Sequence, residues 1–342
     1  MQLLRNFTSA RLTHLVLLLL AFVTPASARS VVDATGRTVE LPDRVERVMP
    51  AGPPAAVLVY TLAPERLIGW PHAPNSEARA LLNPPAAGWL ELPPLVRGGK
   101  VQSEQVQAAR PDVILDYGST SPRYVERVTM IQQATGIPVL LLDGKLERTP
   151  EIYRLLGAIL GTQERAGDLA RAAERLLAIT GQKAEGRRQA GQIRVYYARS
   201  ADGLTTATSV SSLADVLGLV NVTNVADGAG AGELVHVTRD QIYAWNPDAI
   251  VTNNREFWKA RTNPEWAELG AVAQARVYVA PSLPFGWVDE PPSVNRLLGL
   301  LWAGRALYPA VYPDDLRPEI RSFYQLFYRV ELDDEQFDAL SR

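Results

Sequence analysis

Short apolar runs alternate with segments of helical periodicity along most of this 342-residue chain. Apolar runs of this length, separated by helices and turns, are typical of buried parallel strands. Strands are predicted at 45–49, 67–70, 112–116, 137–142, 193–197, 249–252 and 276–279. Helices are predicted at 55–62, 104–109, 122–135, 211–217, 240–245, 297–307 and 320–328. The pattern predicts an α/β fold with mostly parallel central sheets.

One stretch of sequence occurs twice, 136 positions apart. Residues 104–115 (EQVQAARPDVIL) are matched by residues 240–251 (DQIYAWNPDAIV), and Val101 matches Val237 just upstream. Each copy predicts a short helix with an acid in its first turn, a Pro-Asp turn and a buried strand. Because this distance is too long for a solenoid repeat, it favours two α/β lobes built on one plan. The alternative is a common helix-to-strand connection that recurs by chance.

A long helical pattern separates the two copies. It runs from Glu151 to about Gln189 and is rich in Ala, Leu, Arg and Glu. Three glycines at 157, 161 and 167 weaken it, so a break near 161–163 is an alternative. The simplest interpretation is one connecting helix at 149–189, between an N-terminal lobe at 30–148 and a C-terminal lobe at 190–335. Such a stiff connection favours modest closure over a wide hinge motion.

Residues 1–28 have the organisation of a cleavable signal peptide. Arg5 and Arg11 supply the positive region, residues 12–23 are apolar, and the Ala26-Ser27-Ala28 stretch offers a cleavage site. No later segment approaches 18 apolar residues. The chain also has no cysteine, which excludes disulfides, thiolate metal sites and a Cys-linked lipid anchor. These features favour export to a periplasm, without a lipid anchor, of a mature chain that begins at Arg29.

The charge balance argues against a nucleic-acid partner. The formal net charge is −2, and loss of Arg5 and Arg11 with the signal would make it −4. Proteins that bind nucleic acids usually present a clustered basic face instead. We therefore expect a monomer that binds a small molecule.

A series of short motifs runs through the chain in a fixed order. They are Asp33-Ala34-Thr35-Gly36-Arg37, Val45-Glu46-Arg47-Val48, Gly98-Gly99, the two Pro-Asp repeats, Leu155-Leu156-Gly157 and Phe323-Tyr324-Gln325-Leu326-Phe327-Tyr328. With these motifs, the mature chain resembles the periplasmic substrate-binding proteins of ABC importers for iron–siderophore, haem and cobalamin complexes. The resemblance implies two Rossmann-like lobes, bridged by a single long α-helix, with a ligand cleft between them.

The resemblance also gives the repeated acids a role. In such proteins one acid on each lobe pairs with arginines of the permease dimer in the inner membrane, and the matching positions here are Glu104 and Asp240. Two pseudo-symmetric carboxylates suit a two-fold symmetric, basic partner. Asp240 is one methylene shorter than the usual Glu. The simpler alternative is that each acid only complements the N-terminus of its helix.

The expected ligand contacts are the residues that follow the predicted strands. In open α/β sheets, ligands bind beyond the carboxyl ends of the strands. The candidates are Trp70, His72, Tyr117, Arg199, Asn254 and Trp287. Alternatives remain for three of them: His72 could be a solvated loop residue, Arg199 could form an ion pair between lobes, and Trp287 could be buried between lobes.

These residue types favour a particular class of ligand. Aromatic walls and guanidinium donors suit an anionic, partly planar metal chelate, such as a ferric siderophore or a haem-type complex. The mature chain has only His72 and His236, which excludes a multi-histidine site for a bare metal. If the metal is contacted directly, His72 is the expected ligand. A small oxyanion such as molybdate, or a nickel or cobalt complex, is the alternative cargo, and no intrinsic cofactor is expected.

Enzyme motifs are lacking. A dinucleotide site needs G-x-G-x-x-G between a strand and a helix, whereas the glycines at 228, 230 and 232 follow no predicted strand. The chain has no G-x-x-x-x-G-K-[ST] loop, G-x-S-x-G elbow or H-E-x-x-H helix. We therefore expect a binding protein, with a two-lobed glycosyltransferase-like enzyme as the less favoured alternative.

Overall fold

The computed structural model describes residues 28–84, 86–230 and 232–340. The predicted signal peptide lies outside the described residues up to position 27, and Ala28 begins the first strand. In these three ranges, no helix combines the length and the apolar character needed to cross a membrane.

The first lobe is built on a three-stranded parallel sheet. The strands of this lobe, including two hairpins outside the sheet, are β1 (Ala28–Val32), β2 (Thr38–Pro42), β3 (Val48–Pro50), β4 (Val96–Arg97), β5 (Lys100–Val101), β6 (Val113–Gly118) and β7 (Val139–Asp143). Its helices are α1 (Pro53–Leu62), α2 (Ser76–Arg79), α3 (Ser103–Ala108) and α4 (Pro122–Thr135). The parallel sheet has the order β3–β6–β7, while β1–β2 and β4–β5 are antiparallel hairpins.

Three helices follow the first lobe: α5 (Thr149–Leu160), α6 (Gln163–Gln182) and α7 (Ala184–Ala190). Gly161 has a left-handed backbone (φ 70°), and there the chain folds back so that α5 packs against α6. A Cβ on Gly157 would lie 2.3 Å from the Cβ of Ala166, so the close crossing requires glycine. The predicted connecting helix at 149–189 is corrected accordingly: α6 alone is the long helix.

The second lobe carries a four-stranded parallel sheet. Its strands are β8 (Arg194–Ala198), β9 (Thr205–Ala207), β10 (Thr223–Asn224), β11 (Leu234–His236), β12 (Ala249–Thr252) and β13 (Val277–Val279). Its helices are α8 (Asp215–Leu219), α9 (Arg239–Trp245), α10 (Arg255–Ala260), α11 (Pro264–Ala267), α12 (Gly270–Ala273), α13 (Arg296–Leu307), α14 (Arg317–Phe323) and α15 (Asp334–Leu340). The sheet order is β10–β8–β12–β13, and β9 pairs with β11 in a separate antiparallel ribbon.

The predicted fold class is confirmed, and the strands that were read from apolar runs are the buried ones. Every residue of β12 is buried, as are residues 113–117 of β6, because helices cover both faces of the parallel sheets. Helix α4 has the bounds predicted for it. The predicted strand at 67–70 forms only isolated bridges, from Leu67 to Val48 and from Trp70 to Glu91.

The sequence repeat is also a structural repeat. The Asp112 carboxylate accepts hydrogen bonds from the backbone N–H groups of Glu46 and Arg47 at 2.7 and 2.8 Å, and Asp248 accepts one from Arg194 at 2.8 Å. In each lobe this carboxylate fixes the start of the neighbouring parallel strand.

Further equivalences follow the same spacing. Arg110 and Asn246, which occupy matching places in the two copies, both have a left-handed backbone, with φ of 47° and 42°. Each accepts, through its carbonyl oxygen, a hydrogen bond from the arginine at the start of the neighbouring strand, Arg47 at 2.9 Å and Arg194 at 3.4 Å. Such detailed agreement favours two lobes of one plan over chance recurrence.

Helix α6 bridges the two lobes. It packs against α1 of the first lobe and α13 of the second. Near its start, Arg165 donates to the carbonyl oxygen of Thr61 at 3.2 Å and to that of Leu326. The long helix is therefore bonded at one end to the first lobe and to the C-terminal helical segment.

A buried arginine ties the lobes together at their centre. Arg296, at the start of α13, is fully buried and donates to the carbonyl oxygens of Gly144 and Ser212, each at 2.6 Å. It also pairs with the Asp215 carboxylate at 3.0 Å, which in turn accepts from the backbone N–H of Leu146 at 3.3 Å. One guanidinium thus joins the end of β7 to the start of α8.

We expect Arg296→Met to lower the free energy of unfolding by about 3–5 kcal/mol, because it leaves the Asp215 carboxylate without its partner in a largely buried place. The double variant with Asp215→Asn should recover part of that loss. Denaturant unfolding measures both. The control is Arg188→Met, which removes an exposed pair with Glu185 and should leave the free energy of unfolding nearly unchanged. Equal losses for the two single variants would contradict this assignment.

Candidate ligand-binding cleft

Two adjoining cavities of about 560 and 490 Å³ lie between the lobes. They share six lining residues, three from each lobe: Pro53, Pro54, His72, Leu213, Leu234 and Pro292. We call the larger cavity the apolar half; its other lining residues include Val57, Trp70, Asn75, Ala78 and Phe285. We call the smaller cavity the polar half; its other lining residues include Asp116, Tyr117, Ser119, Tyr124, Arg127 and Glu233. Together they form the inter-lobe cleft.

The cleft lies beyond the carboxyl ends of parallel strands. Ala51 and Gly52 follow β3, Ser119 follows β6, and Arg199 follows β8; all four line it. This is the position that the topology of an open α/β sheet assigns to a ligand.

Stacked aromatic rings form the wall of the apolar half. Trp70 is 1% exposed and lies against Phe285 from the second lobe, with ring centroids 6.2 Å apart and planes at 26°. Tyr60 also packs against this indole, with ring centroids 5.5 Å apart. The Trp70 backbone is fixed by hydrogen bonds with Leu90 and Leu92, each at 2.7 Å. The indole is therefore held rigidly across the boundary between the lobes.

Helix α1 points its N-terminus into the cleft, but this end lacks backbone donors. Pro53 and Pro54 occupy its first two positions, and no side chain caps it. Proline has no N–H group, so two of the donors that usually bind an anion at a helix N-terminus are missing. Both pyrrolidine rings line the cleft instead and make this helix end an apolar surface.

Arg199 lies on the apolar half but is already paired. Its Nε donates to the Asp289 carboxylate at 2.7 Å, with a second contact from Nη2, and Asp289 is 1% exposed. The next carboxylate, Glu290, lies 3.9 Å from the same guanidinium. Arg199 therefore forms an ion pair, as the alternative from the sequence proposed, but the pair lies within the second lobe and not between the lobes. A buried partner leaves little of the arginine's charge for an anionic ligand.

His72 lies where the two halves meet. It lines both and is exposed, so its imidazole is accessible to a ligand in either. Among the described residues, no group of three or more His, Asp or Glu side chains is arranged to hold a metal ion.

The polar half has a buried acid at its base. Asp116, near the end of β6, is 8% exposed, and its Oδ2 atom has no hydrogen-bond partner among the described residues. Burial raises the pKa of this carboxyl above its usual range, and the charge of Arg127 opposes only part of that rise. Tyr117, which follows it, is 2% exposed and also lines the polar half. Opposite them, Glu233 of the second lobe is within 3.5 Å of the Tyr124 hydroxyl.

Two predicted ligand residues do not reach the cleft. Asn254 caps α10, and its side-chain oxygen accepts from the backbone N–H groups of Glu256 and Phe257 at 3.0 and 3.1 Å. Trp287 is 3% exposed, donates from its indole to the Leu283 carbonyl oxygen at 3.4 Å, and lines a separate cavity of about 180 Å³. Both predictions are corrected, because local capping and core packing occupy these side chains.

Sequence reasoning did not select several residues that line the cleft, among them Phe285, Asp116 and Glu233. Phe285 lies in the same loop as Trp287, and only the tertiary structure decides which ring turns towards the first lobe. Asp116 did carry a signal, because an acid at the end of an otherwise apolar buried strand is unusual. Nothing in the local sequence marks Glu233.

Glu104 and Asp240 occupy equivalent places on the two lobes. Each is exposed in the first turn of its helix, α3 or α9, and neither forms an ion pair within the described part of the chain. Helix α3 follows the β4–β5 hairpin, whose Val96 lines the polar half. Helix α9 follows β11, whose Leu234 lines both halves. The two carboxylates thus follow cleft-lining segments, one on each lobe.

The chain matches the sequence profile of the periplasmic binding protein family over residues 56–283. A solved ABC transporter solute binding protein from Sulfurospirillum deleyianum is 28% identical with a TM-score of 0.83, covering 91% of this chain and 98% of that one. A molybdate periplasmic binding protein of Haemophilus influenzae is 20% identical with a TM-score of 0.71, covering 89% of this chain and 99% of that one. A periplasmic vitamin B12 binding protein of Vibrio cholerae is 18% identical with a TM-score of 0.60, covering 78% of this chain and 98% of that one. The latter two likenesses show the fold alone. No curated protein matches the chain.

We expect Asp116→Asn to raise the melting temperature of the ligand-free protein at pH 8, because it removes a buried, unpaired charge. The raised pKa means that the native state binds the proton more tightly than the unfolded state does. The ionised carboxylate therefore destabilises the fold above its native pKa, and the gain from Asn should vanish towards pH 4, near the ordinary Asp value of about 3.9. Thermal unfolding at both pH values measures this.

The control for that experiment is Glu104→Gln, which neutralises an exposed acid without an ion pair and should leave the melting temperature unchanged at both pH values. A lower melting temperature for Asp116→Asn at pH 8 would mean that the carboxylate stabilises the fold, and would contradict this description of the polar half.

Proposed function

Because the chain belongs to the periplasmic binding protein family, we propose that it captures a metal chelate in the inter-lobe cleft and delivers it to the permease of an ABC importer. The cargo class that the cleft suits best is a ferric siderophore or a haem-type complex. In this role the protein acts in the periplasm as a monomer and performs no catalysis.

The observation that carries the proposal is the wall of the apolar half. A cavity of about 560 Å³, bounded by Trp70, Phe285 and several proline rings, has the size and apolar lining of a site for an organic ligand. Aromatic rings from both lobes, Trp70 and Phe285, line this cavity and suit a partly apolar complex. His72 at its edge is positioned to contact the metal or a polar group of the chelator.

A small oxyanion such as molybdate fits this lining poorly. An oxyanion site needs several free N–H donors that converge on a small volume. Here the first two positions of α1 are prolines, and Arg199 is held by Asp289. Because Arg199 is paired with Asp289, the sequence argument that it recognises an anionic chelate is also weakened. The proposed cargo class therefore rests on the apolar part of the ligand and not on its negative charge.

We expect haem or a ferric trihydroxamate to quench the tryptophan fluorescence of the purified mature protein, and molybdate to leave it unchanged. Trp70→Phe should reduce the quenching and weaken binding roughly fivefold, since an aromatic contact is worth about 1 kcal/mol. Calorimetry gives the affinity where the fluorescence signal is lost.

The matched control is Trp258→Phe, because Trp258 is 38% exposed and lies away from the cleft. It should retain the quenching and the affinity. Quenching by molybdate, with no response to any chelate, would overturn the proposed cargo class while leaving the binding role intact.

The second part of the proposal is that Glu104 and Asp240 dock the loaded protein onto the permease. Both acids are exposed, occupy equivalent positions in the two lobes and form no ion pair within the described chain. Both carboxylates are therefore available to a basic partner. Charge pairs of this kind mainly set the docking rate and register.

Replacing both docking acids with Ala should reduce uptake while ligand affinity stays unchanged, and replacing both with Arg should reduce uptake further, because like charges repel across the interface. Uptake is measured with labelled chelate, and affinity by calorimetry. Glu164→Ala, at an exposed first-turn acid of α6, is the matched control and should leave uptake intact. Loss of ligand binding on replacing either docking acid would assign that acid to the cleft instead.

A further inference from the structure

The lining of the cleft carries an excess of acids. A third cavity of about 420 Å³ adjoins the polar half and shares Gly118, Ser119, Ser212 and Glu233 with it. Over the three cavities, six carboxylates face the cleft, against three cationic side chains. The acids are Asp116, Asp143, Asp215, Glu233, Asp289 and Glu290, and the cations are Arg127, Lys145 and Arg199. Such a lining attracts a cationic group and repels an anionic one.

Protein cations neutralise part of this excess. Asp289 is held by Arg199, and Asp215 by Arg296. Asp116 and Glu233 form no ion pair within the described ranges of the chain, and Arg127 acts on Asp116 only from beyond salt-bridge distance. Of the acids without an ion pair in the described ranges, Asp116 and Glu233 lie in the polar half and Asp143 in the adjoining third cavity.

Asp116 of the first lobe and Glu233 of the second line the polar half together with Tyr124. The Tyr124 hydroxyl lies 3.5 Å from Glu233, and both carboxylates raise the pKa of this phenol, after the larger effect of its burial. Tyr124 therefore lies near both acids. Asp116 lines this half, and its buried Oδ2 has no hydrogen-bond partner among the described residues, so the protein itself does not satisfy this acceptor.

We infer that the polar half binds a protonated amine of the transported ligand, held between Asp116 of the first lobe and Glu233 of the second. This rests on the proposed function and refines it: the cargo combines an apolar chelate body, placed against Trp70, with a cationic arm. An ammonium group has three donors and no acceptor, which suits a site made of carboxylate and hydroxyl oxygens. A bare metal ion fits less well, since the described residues bring no three suitable ligands together.

The same contact has a consequence for the transport cycle. An amine bonded to acids of both lobes interacts best with the arrangement in which the lobes are closest, and such a preference shifts the population towards it. The arm of the ligand would thereby stabilise the closed protein, while its body fills the apolar half.

The test uses two ferric trihydroxamates that differ only in this charge: ferrioxamine B, which ends in a primary amine, and its N-acetylated derivative. The wild-type protein should bind the amine form about tenfold or more tightly than the acetylated form. Asp116→Asn and Glu233→Gln should each reduce that preference severalfold, mainly by weakening the amine form. Glu164→Gln, an exposed acid on α6 outside the cleft, should keep the full preference.

Equal affinity of the wild-type protein for both complexes would overturn the inference and leave the proposed function standing. An undiminished preference in both cleft variants would overturn it as well. If neither complex binds, the result counts against a trihydroxamate cargo, and a second probe decides the inference. Pentane-1,5-diamine should then raise the melting temperature of the wild-type protein but not of the double variant, and glutarate should raise neither. No shift with the diamine would overturn the inference.

Discussion

The buried guanidinium of Arg296 is the contact on which the geometry of the cleft depends. It has no exposure to solvent and joins three segments: the end of β7 at Gly144, the start of α8 at Ser212 and Asp215, and its own helix α13. A charge this deeply buried is tolerated only when its donors are satisfied. Because those acceptors come from both lobes, their relative position is tied to the geometry of one side chain.

The packing of the core agrees with such a rigid arrangement. One hydrophobic cluster runs from first-lobe strands through α5 and α6 to α13 and the second-lobe strands. Helix α6 contacts elements of both lobes along this cluster. A large hinge rotation would expose that surface, so the architecture favours small adjustments at the edges of the cleft over wide opening.

The buried acids of the cleft are of two kinds, one paired with an arginine and one without an ion pair. Asp289 and Arg199 are buried together, which removes a cation from the ligand's surroundings and gives the apolar half its character. Asp116 is buried alone, with one oxygen lacking a partner. A buried polar atom without a partner is unfavourable for folding, and the proposed binding role would give this one a partner. The two halves therefore differ in their chemistry.

The sequence by itself determined the elements whose signal is local. The apolar runs that became β6 and β12 and the bounds of α4 follow from periodicity. The repeat that contains Asp112 and Asp248 is also visible in the sequence, although the hydrogen bonds that these acids accept come from residues 65 and 54 positions away. The helical character of residues 149–189 was also predicted from the sequence. The sequence left open whether they form one helix or break near Gly161, because a glycine in a helical pattern does not by itself show that the chain turns there.

Only the tertiary structure decided which side chains meet in the cleft. Arg199 finds its partner 90 positions away, Arg296 finds acceptors on both lobes, and Phe285 rather than Trp287 faces Trp70. These outcomes depend on where distant strand ends and loops are brought together by packing. Local periodicity carries no information about such pairings, since the burial and charge of a side chain are properties of its neighbours in space and not of its neighbours in sequence.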